Sequence, residues 1–325
     1  MGAVQAKVPP GQVSLRDVFG EQIISLGARD ERIMMLDADL ATSTRTGKFS
    51  AAYPDRHINV GIAEQNMVGI AAGLAIGGYI PFVNTFASFL TRRACDQIAI
   101  SVAYPKLNVK FFGFHAGINL GEDGATQQSV EDLAIMQAIP GIRVYAPIDG
   151  NDLARAVAEV VDIDGPTYVR LSRFPSPLVT PPLAEGDSRV VDYHLLQDGS
   201  DLTVLTTGTL VSKVVEAAAK LKARGISAKV VGITRLKPIA DSLADLFVKA
   251  GSKPVAVVEE HSIHGGLADM ISSLLDRKQI PHCLTRIGIA DRFGESGAPE
   301  ALLEAFGLAG EPLVQALSSL VHRSG

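Results

Sequence analysis

Short runs of β-branched and apolar residues alternate along the chain with longer stretches whose apolar positions recur at helical spacing. RIMMLDADL reads as a strand entering a turn at Asp37–Asp39, and HINVG as a short strand running straight into EQNMVGIAAGLAIGG. That Ala- and Gly-rich segment predicts a helix whose small side chains allow close backbone approach. Its glycines lower intrinsic helicity, so tertiary packing must hold it. YIPFVNTF, NVKFFGFH, IRVYAPI and PTYVRLS predict further strands. FLTRRACDQIAISVAY, DLAIMQAI and NDLARAVAEVV predict the helices among them, the last capped at Asn151 or Asp152. The strands are too continuously apolar for a solvated face, which predicts a mostly parallel sheet with helices on both sides.

Residues 175–189, PSPLVTPPLAEGDSR, hold four prolines and little periodicity, and mark a linker. Beyond it, LTVLTTGTL, SAKVVGI and PVAVVEE predict strands. VSKVVEAAAKLKARG predicts a helix ended by Gly225, GGLADMISSLLDRK another, and residues 299–320 a final helical region. The expectation is two three-layer α/β domains, residues 1–180 and 190–325, which suits a length of 325 residues.

Apolar residues make up 47% of the chain and charged residues 20%, enough for a real core and against disorder. Thirty Lys and Arg against 35 Asp and Glu leave a charge of −5, which gives no support to a nucleic-acid-binding surface. Cys95 and Cys283 are too few for a disulfide framework or a Cys-based zinc site, and read as buried thiols in a reducing compartment. The opening MGAVQAKVPPGQVSLRD lacks the apolar run of a signal peptide, and no apolar window reaches the length of a bilayer span. A cytoplasmic protein that engages neither membrane nor nucleic acid is expected.

Three glycine-bearing clusters follow predicted strands: VGIAEQN at 60–66, GINLGEDGATQQ at 117–128 and EEHSIHGG at 259–266. Strand-to-helix loops are where parallel sheets bind ligands. None of the three carries a dinucleotide fingerprint or a phosphate loop. Glu64 opens the Ala/Gly helix within apolar sequence, so burial and a specific donor are expected, yet its near neighbours carry no charge. The helix dipole favours its anion and desolvation its acid. Backbone capping and a chemical role both stay open for it, and Phe82, Phe86 and Phe89 fit either core or ligand contact.

His115 ends FFGF ahead of a turn containing Glu122, Asp123 and Gln127. That spacing fits no metal-ligand pattern, and the acid pair serves equally to cap the turn. Arg170 and Arg173 end a buried strand and suit either bidentate binding of phosphate or carboxylate, or an interdomain ion pair. Ser43, Thr44 and Arg45 form a polar loop, and His261 and His264 read as loop residues with an interface role. There is no G-x-S-x-G elbow and no cysteine beside a base, which disfavours covalent catalysis by a side chain and points any enzyme reading to a cofactor.

The string DRHINVGIAEQNMVGIAAGLAIGGYIPFVNTFASF, then RRACDQI, then GINLGEDGATQQ, closely resembles the transketolase family. IAEQ and AAGLAIGGY are also similar to 1-deoxyxylulose-5-phosphate synthase. The resemblance runs on through PTYVRLSR, TTGT, VEEHSIHGG and IGIADRFGESG, and so covers nearly the whole chain. It implies a thiamine-diphosphate pyrimidine-binding domain followed by a transketolase C-terminal domain. The family's amino-terminal pyrophosphate-binding domain, with its GDG and later Asn for magnesium, is not matched. EDG at 122–124 and IDGN at 148–151 sit outside that context. The resemblance therefore implies the beta subunit of a split transketolase, using thiamine diphosphate, with Mg2+ ligated mainly by a separate N-terminal subunit. It also implies an α2β2 assembly and no metal ligand on this chain.

Position by position, Glu64 matches the glutamate facing N1′ of the aminopyrimidine, where it stabilises the imino tautomer so that the exocyclic nitrogen takes the thiazolium C2 proton. Phe86 and Phe89 match aromatics of the pyrimidine pocket, with Phe89 the stacking partner, and Asp39 and Ser43 match the loop at the thiazolium and substrate end. His115 matches a histidine at the phosphate end of the sugar channel, and with Glu64 is an implied catalytic residue. Asp123 matches an aspartate recognising a substrate hydroxyl, Arg173 the phosphate-binding arginine of the SR pair, and Arg16 a further phosphate-facing arginine. Arg93 matches an arginine near the cofactor in the synthase relatives.

One departure is plain. Transketolases typically read GEDGPTHQ, and this chain reads GEDGATQQ, with Gln127 where a histidine contacts donor hydroxyls. Glutamine can hydrogen-bond but cannot become an imidazolium, which leaves the donor preference open. The implied activity is transfer of a two-carbon ketol unit from a ketose, phosphorylated or otherwise anionic, to an aldose. The alternatives are the beta subunit of a 2-oxoacid or acetoin dehydrogenase, disfavoured by GEDGATQQ and the SR pair, and a non-catalytic partner-binding subunit.

Overall fold

A computed structural model describes residues 11–183, 189–250 and 253–323. Residues 1–10 of the opening and 184–188 of the linker lie outside the described residues. Before the linker come β1 (Gln12–Val13), β2 (Ile33–Asp37), β3 (His57–Asn59), β4 (Ile80–Phe86), β5 (Lys110–Phe114), β6 (Arg143–Tyr145), β7 (Thr167–Arg170) and β8 (Ser176–Pro177). After it come β9 (Tyr193–Gln197), β10 (Leu202–Thr207), β11 (Ala228–Ile233), β12 (Arg235–Lys237), β13 (Val255–Ser262) and β14 (Leu284–Ile289).

A seven-stranded sheet has the order β12-β6-β7-β5-β4-β2-β3, and a five-stranded one β14-β13-β10-β11-β9. Only β12 and β9 run antiparallel to their neighbours in these two sheets. Strands β2, β4, β5 and β7 are buried at every position, the signature of a parallel sheet covered on both faces. The two α/β domains expected from the rhythm are therefore present. No helix among the described residues is long and apolar enough to cross a membrane.

Several local expectations change. The helix Leu15–Arg29 is absent from the strand-and-helix pattern given above, yet its Leu15, Phe19, Ile23 and Leu26 recur at helical spacing and pack into the first core. The helix expected over FLTRRACDQIAISVAY divides into Ala87–Arg93 and a π-helical stretch Gln97–Ala103. Asp149, not Asn151 or Asp152, caps the helix Gly150–Asp162, accepting from the Asp152 amide at 3.0 Å. Asp152 turns inward instead and accepts from the Thr234 hydroxyl at 2.6 Å. The last helical region is two helices, Pro299–Ala305 and Gly310–Arg323. Of the two cysteines expected to be buried, Cys95 is partly so and Cys283 is exposed.

The proline-rich segment is not a free tether. Its start, β8, pairs with β1, and the Thr180 amide and hydroxyl both donate to Asp149 at 2.7 Å. Strand β12, from beyond the linker, crosses back to pair with β6 at the edge of the first sheet. A hydrophobic cluster that includes Met67, Leu133, Leu205, Val231 and Leu267 is shared between the domains.

At their junction Arg170, 7% exposed, meets Asp132, 0% exposed, through Nε at 3.0 Å. Arg170 Nη2 donates to the Glu260 carbonyl at 2.8 Å, and the Tyr168 hydroxyl donates to Asp132 at 2.8 Å. The ion pair that Arg170 makes lies within the first domain, and it reaches the second only through the Glu260 carbonyl, so the structure shows neither an interdomain ion pair nor a free guanidinium for an anion. Removing one partner of a buried pair strands the other charge. Arg170→Met is therefore expected to lower the unfolding free energy by about 3–5 kcal/mol in urea titrations; a loss below about 1 kcal/mol would contradict this account of the junction.

Candidate active site

The parallel strands of the large sheet end on one edge, and the winding reverses between β2 and β4: β2 leads outward to β3, and β4 leads back toward β5. The crevice at such a reversal is where open parallel sheets hold ligands. Loops at this edge carry Asp39 after β2, Glu64 after β3, Phe86 at the end of β4 and His115 after β5.

Glu64 is the first residue of the helix Glu64–Ile76 and is 4% exposed. Its Oε1 accepts from Arg93 Nη1 at 2.9 Å, and no other hydrogen bond to this carboxylate forms among the described residues. The donor that burial requires comes from the end of the helix Ala87–Arg93, beyond the reach of local sequence. Arg93 also lies over the Phe89 ring, 4.1 Å from its centroid. Phe89 stacks on Phe86 at 5.4 Å and 21°, and Phe86 lies 4.3 Å from the His115 ring. One continuous row of contacts thus joins Glu64, Arg93, Phe89, Phe86 and His115. Phe82 stands apart, stacked on Phe112 in the core at 5.1 Å.

His115 is buried, adopts a positive φ of 56°, and has no hydrogen-bond partner on either ring nitrogen among the described residues. Burial first, then the charges of Arg173, Arg16 and Arg45, hold its pKa well below the ordinary 6.5. Arg16 projects from the helix Leu15–Arg29, and its Nε is likewise buried without a partner. Burial and the Arg45 charge lower its own pKa. Arg45 pairs with Asp17 at 2.6 Å, and Arg173 with Asp123 at 3.0 Å and with the Leu120 carbonyl at 3.1 Å. Three guanidiniums and two carboxylates leave surplus positive charge around a neutral imidazole with an unused donor. That combination suits an oxyanion.

The remaining residues sit around this row. Asp39 is exposed with φ of 60°, its amide donating to Asn59 Oδ1 at 3.1 Å; the same oxygen takes the Gly61 amide at 3.0 Å, which ties the β2 and β3 loops together. Gln127 accepts from Thr126 through its side chain, and its carbonyl takes the Ser88 hydroxyl at 2.8 Å. Ser43, in the short helix Ala41–Thr44, makes no side-chain hydrogen bond to the row. Glu122 and Asp123 lie in a 3-10 turn, Gly121–Asp123. His261 is no loop residue: it lies at the end of β13, fully buried, and its Nε2 accepts from the Ala134 amide at 3.3 Å across the domain junction. His264 is exposed. Arg45, Asn59 and Ser88 join the site although the sequence does not single them out as binding residues. Only Arg45 carries a signal, its place beside Ser43.

Comparisons with known proteins agree with this architecture. The family description "Transketolase, pyrimidine binding domain" matches residues 11–175, and "Transketolase, C-terminal domain" matches residues 192–312. The chain belongs to the transketolase family. It is similar to a 6-deoxy-6-sulfo-D-fructose transketolase subunit of Clostridium sp., 39% identical over 312 residues and 95% of each chain. An apulose-4-phosphate transketolase subunit of Actinobacillus succinogenes is 31% identical over 307 residues, 94% of this chain and 98% of that one. A solved split gene transketolase, an inactive beta4 tetramer, aligns with TM-score 0.84 and 37% identity over 97% of this chain and 100% of that one. Within the family, this chain corresponds to the C-terminal, beta part of a split transketolase.

Because its folded pKa is depressed, His115 is expected to stay neutral through pH 6.5 in an imidazole NMR titration. Below that pH an unfolded chain takes up the proton and the folded one does not, so this residue's contribution to stability falls as pH falls. An imidazolium signal from His115 at pH 6.5 would contradict the geometry.

Proposed function

We propose that the chain is the beta subunit of a two-subunit, thiamine-diphosphate-dependent transketolase that moves a two-carbon ketol unit from an anionic ketose to an aldose. The observation that carries this reading is the buried Glu64 carboxylate, held by one guanidinium beside a stacked phenylalanine pair. An aminopyrimidine needs such an acceptor at its ring nitrogen and an aromatic surface beside it, so these residues fit the cofactor. Bound thiamine diphosphate supplies the carbanion chemistry that no side chain here provides.

Each residue of the chain then has a defined task. Glu64 holds a proton at the ring nitrogen, and its dry surroundings strengthen that bond. Arg93 keeps the carboxylate oriented. Phe89 and Phe86 bear on the ring and exclude water. His115, neutral, donates to substrate oxygen, while Arg16, Arg45 and Arg173 balance the charge of the anionic end. Asp123 and the Gln127 amide meet sugar hydroxyls, and Asp39 and Ser43 lie at the thiazolium end. The names of both relatives above describe sugars bearing an oxyanion, one a sulfonate and one a phosphate. A surplus of guanidinium charge serves either anion.

Mg2+ and the diphosphate fall to the N-terminal subunit, in an α2β2 assembly. The helix opened by Glu64 supports a covering partner: from Met67 on it is apolar all round yet leaves Gly69, Gly73 and Ile76 exposed, with Ile62 just before it. The isolated chain is expected to bind the cofactor poorly and to turn over negligibly; robust activity from the pure chain would reject the shared site. In the complex reconstituted with its N-terminal subunit, Glu64→Gln should cut ketol transfer by at least about a hundredfold with the circular dichroism unchanged. Turnover within about threefold of wild type would overturn the role given to Glu64. Lipoyl reduction in place of ketol transfer would favour the dehydrogenase alternative.

A further inference from the structure

The motif VEEHSIHGG contributes two adjacent buried carboxylates that the proposed reaction does not use. They lie on β13, where successive side chains point to opposite faces. Glu259 turns to its own domain: its Oε2 and Oε1 accept from the Leu267 and Ala268 amides, at 2.7 and 3.2 Å, and so cap the helix Leu267–Arg277. Glu260 turns the other way. Its Oε1 accepts from the Asn119 amide of the first domain at 2.7 Å.

Asn119 lies between His115 and Asp123, and its side chain exchanges hydrogen bonds of 2.7 and 3.0 Å with Ser172, the neighbour of Arg173. Two residues before Asn119, Gly117 has a φ of +88°, and a Cβ there would collide with Glu260 Oε1. The loop is therefore shaped around this carboxylate, and the glycine is required for the approach. Glu260 is 3% exposed, and burial pushes its pKa up to about 7 against the opposing pull of the Arg170 charge; in this dry setting the bond from the Asn119 amide favours the ionised form.

We propose that Glu260 is a positioning residue: from the C-terminal domain it sets the path of the loop carrying His115, Asp123 and Gln127, and through that loop the affinity of the anionic-sugar site. The inference rests on the ketol-transfer reading for its kinetic consequence, while its structural part stands on the contacts alone.

Two measurements decide it. Amide hydrogen exchange of the full chain is expected to quicken about tenfold at residues 117–121 in Glu260→Gln, with residues 267–277 unchanged. In the reconstituted complex the same variant should raise KM for fructose 6-phosphate, or for whichever phosphorylated ketose the wild type turns over, about tenfold with kcat within about threefold. Glu259→Gln is the contrast: it should loosen residues 267–270 and leave KM unchanged. Gly117→Ala presses on the same contact from the loop side and must reproduce the Glu260→Gln signature, which keeps the test decisive if the first variant fails to fold.

Wild-type exchange at 117–121 in Glu260→Gln would overturn the proposal, as would faster exchange with KM unmoved. A wild-type complex that transfers no ketol unit would instead count against the reaction, and the exchange measurement would still decide whether Glu260 sets the path of the loop.

Discussion

Asp132 and Arg170 meet within the first domain where water does not reach, and the contact that Arg170 makes to the second domain depends on keeping them together. The guanidinium gives one donor to the carboxylate and another to a carbonyl of β13, while Tyr168 supplies the carboxylate with a further donor. Strand β7, the helix Asp132–Ala138 and the end of β13 are thereby fixed to one another. Because β7 lies beside β5, and β5 delivers His115, the same junction fixes the edge on which the crevice is built.

The molecule holds two kinds of buried charge, and their difference separates scaffold from site. At the junction the donors of Arg170 and the oxygens of Asp132 meet partners within the protein, the state that burial favours. Around His115 the account is left open: among the described residues, two imidazole nitrogens and the Arg16 Nε are buried without partners, and cations outnumber carboxylates. A fold tolerates such unmet hydrogen-bonding capacity where something else supplies the missing partner.

Much of this could be read in the chain itself. The parallel sheets follow from strands apolar at every position, and the burial of Glu64 from its setting before an Ala/Gly helix. Its partner could not be foreseen from local sequence, because Arg93 reaches it only once β4 and the turn after it have formed. Asp149 is hidden as a cap because three candidate residues, Asp149, Asn151 and Asp152, fall within four positions and only backbone geometry decides which of them precedes the helix. The helix Leu15–Arg29 is legible in principle, since Ser14 precedes its first apolar residue and Asp17 stands three places on. Overlooking it matters, because it carries Arg16. A three-residue strand such as β12 has too little pattern to declare itself.

That short strand has a practical consequence for anyone dividing the molecule. A cut at the proline-rich segment would leave residues 235–237 with the wrong half, and the border of the larger sheet would lose its antiparallel cover along β6. Exposed β6 amides and carbonyls are a template for pairing between molecules. Truncated versions of the amino-terminal half therefore invite self-association unless a substitute strand is grafted on, and the natural unit of expression and engineering is the pair of domains together.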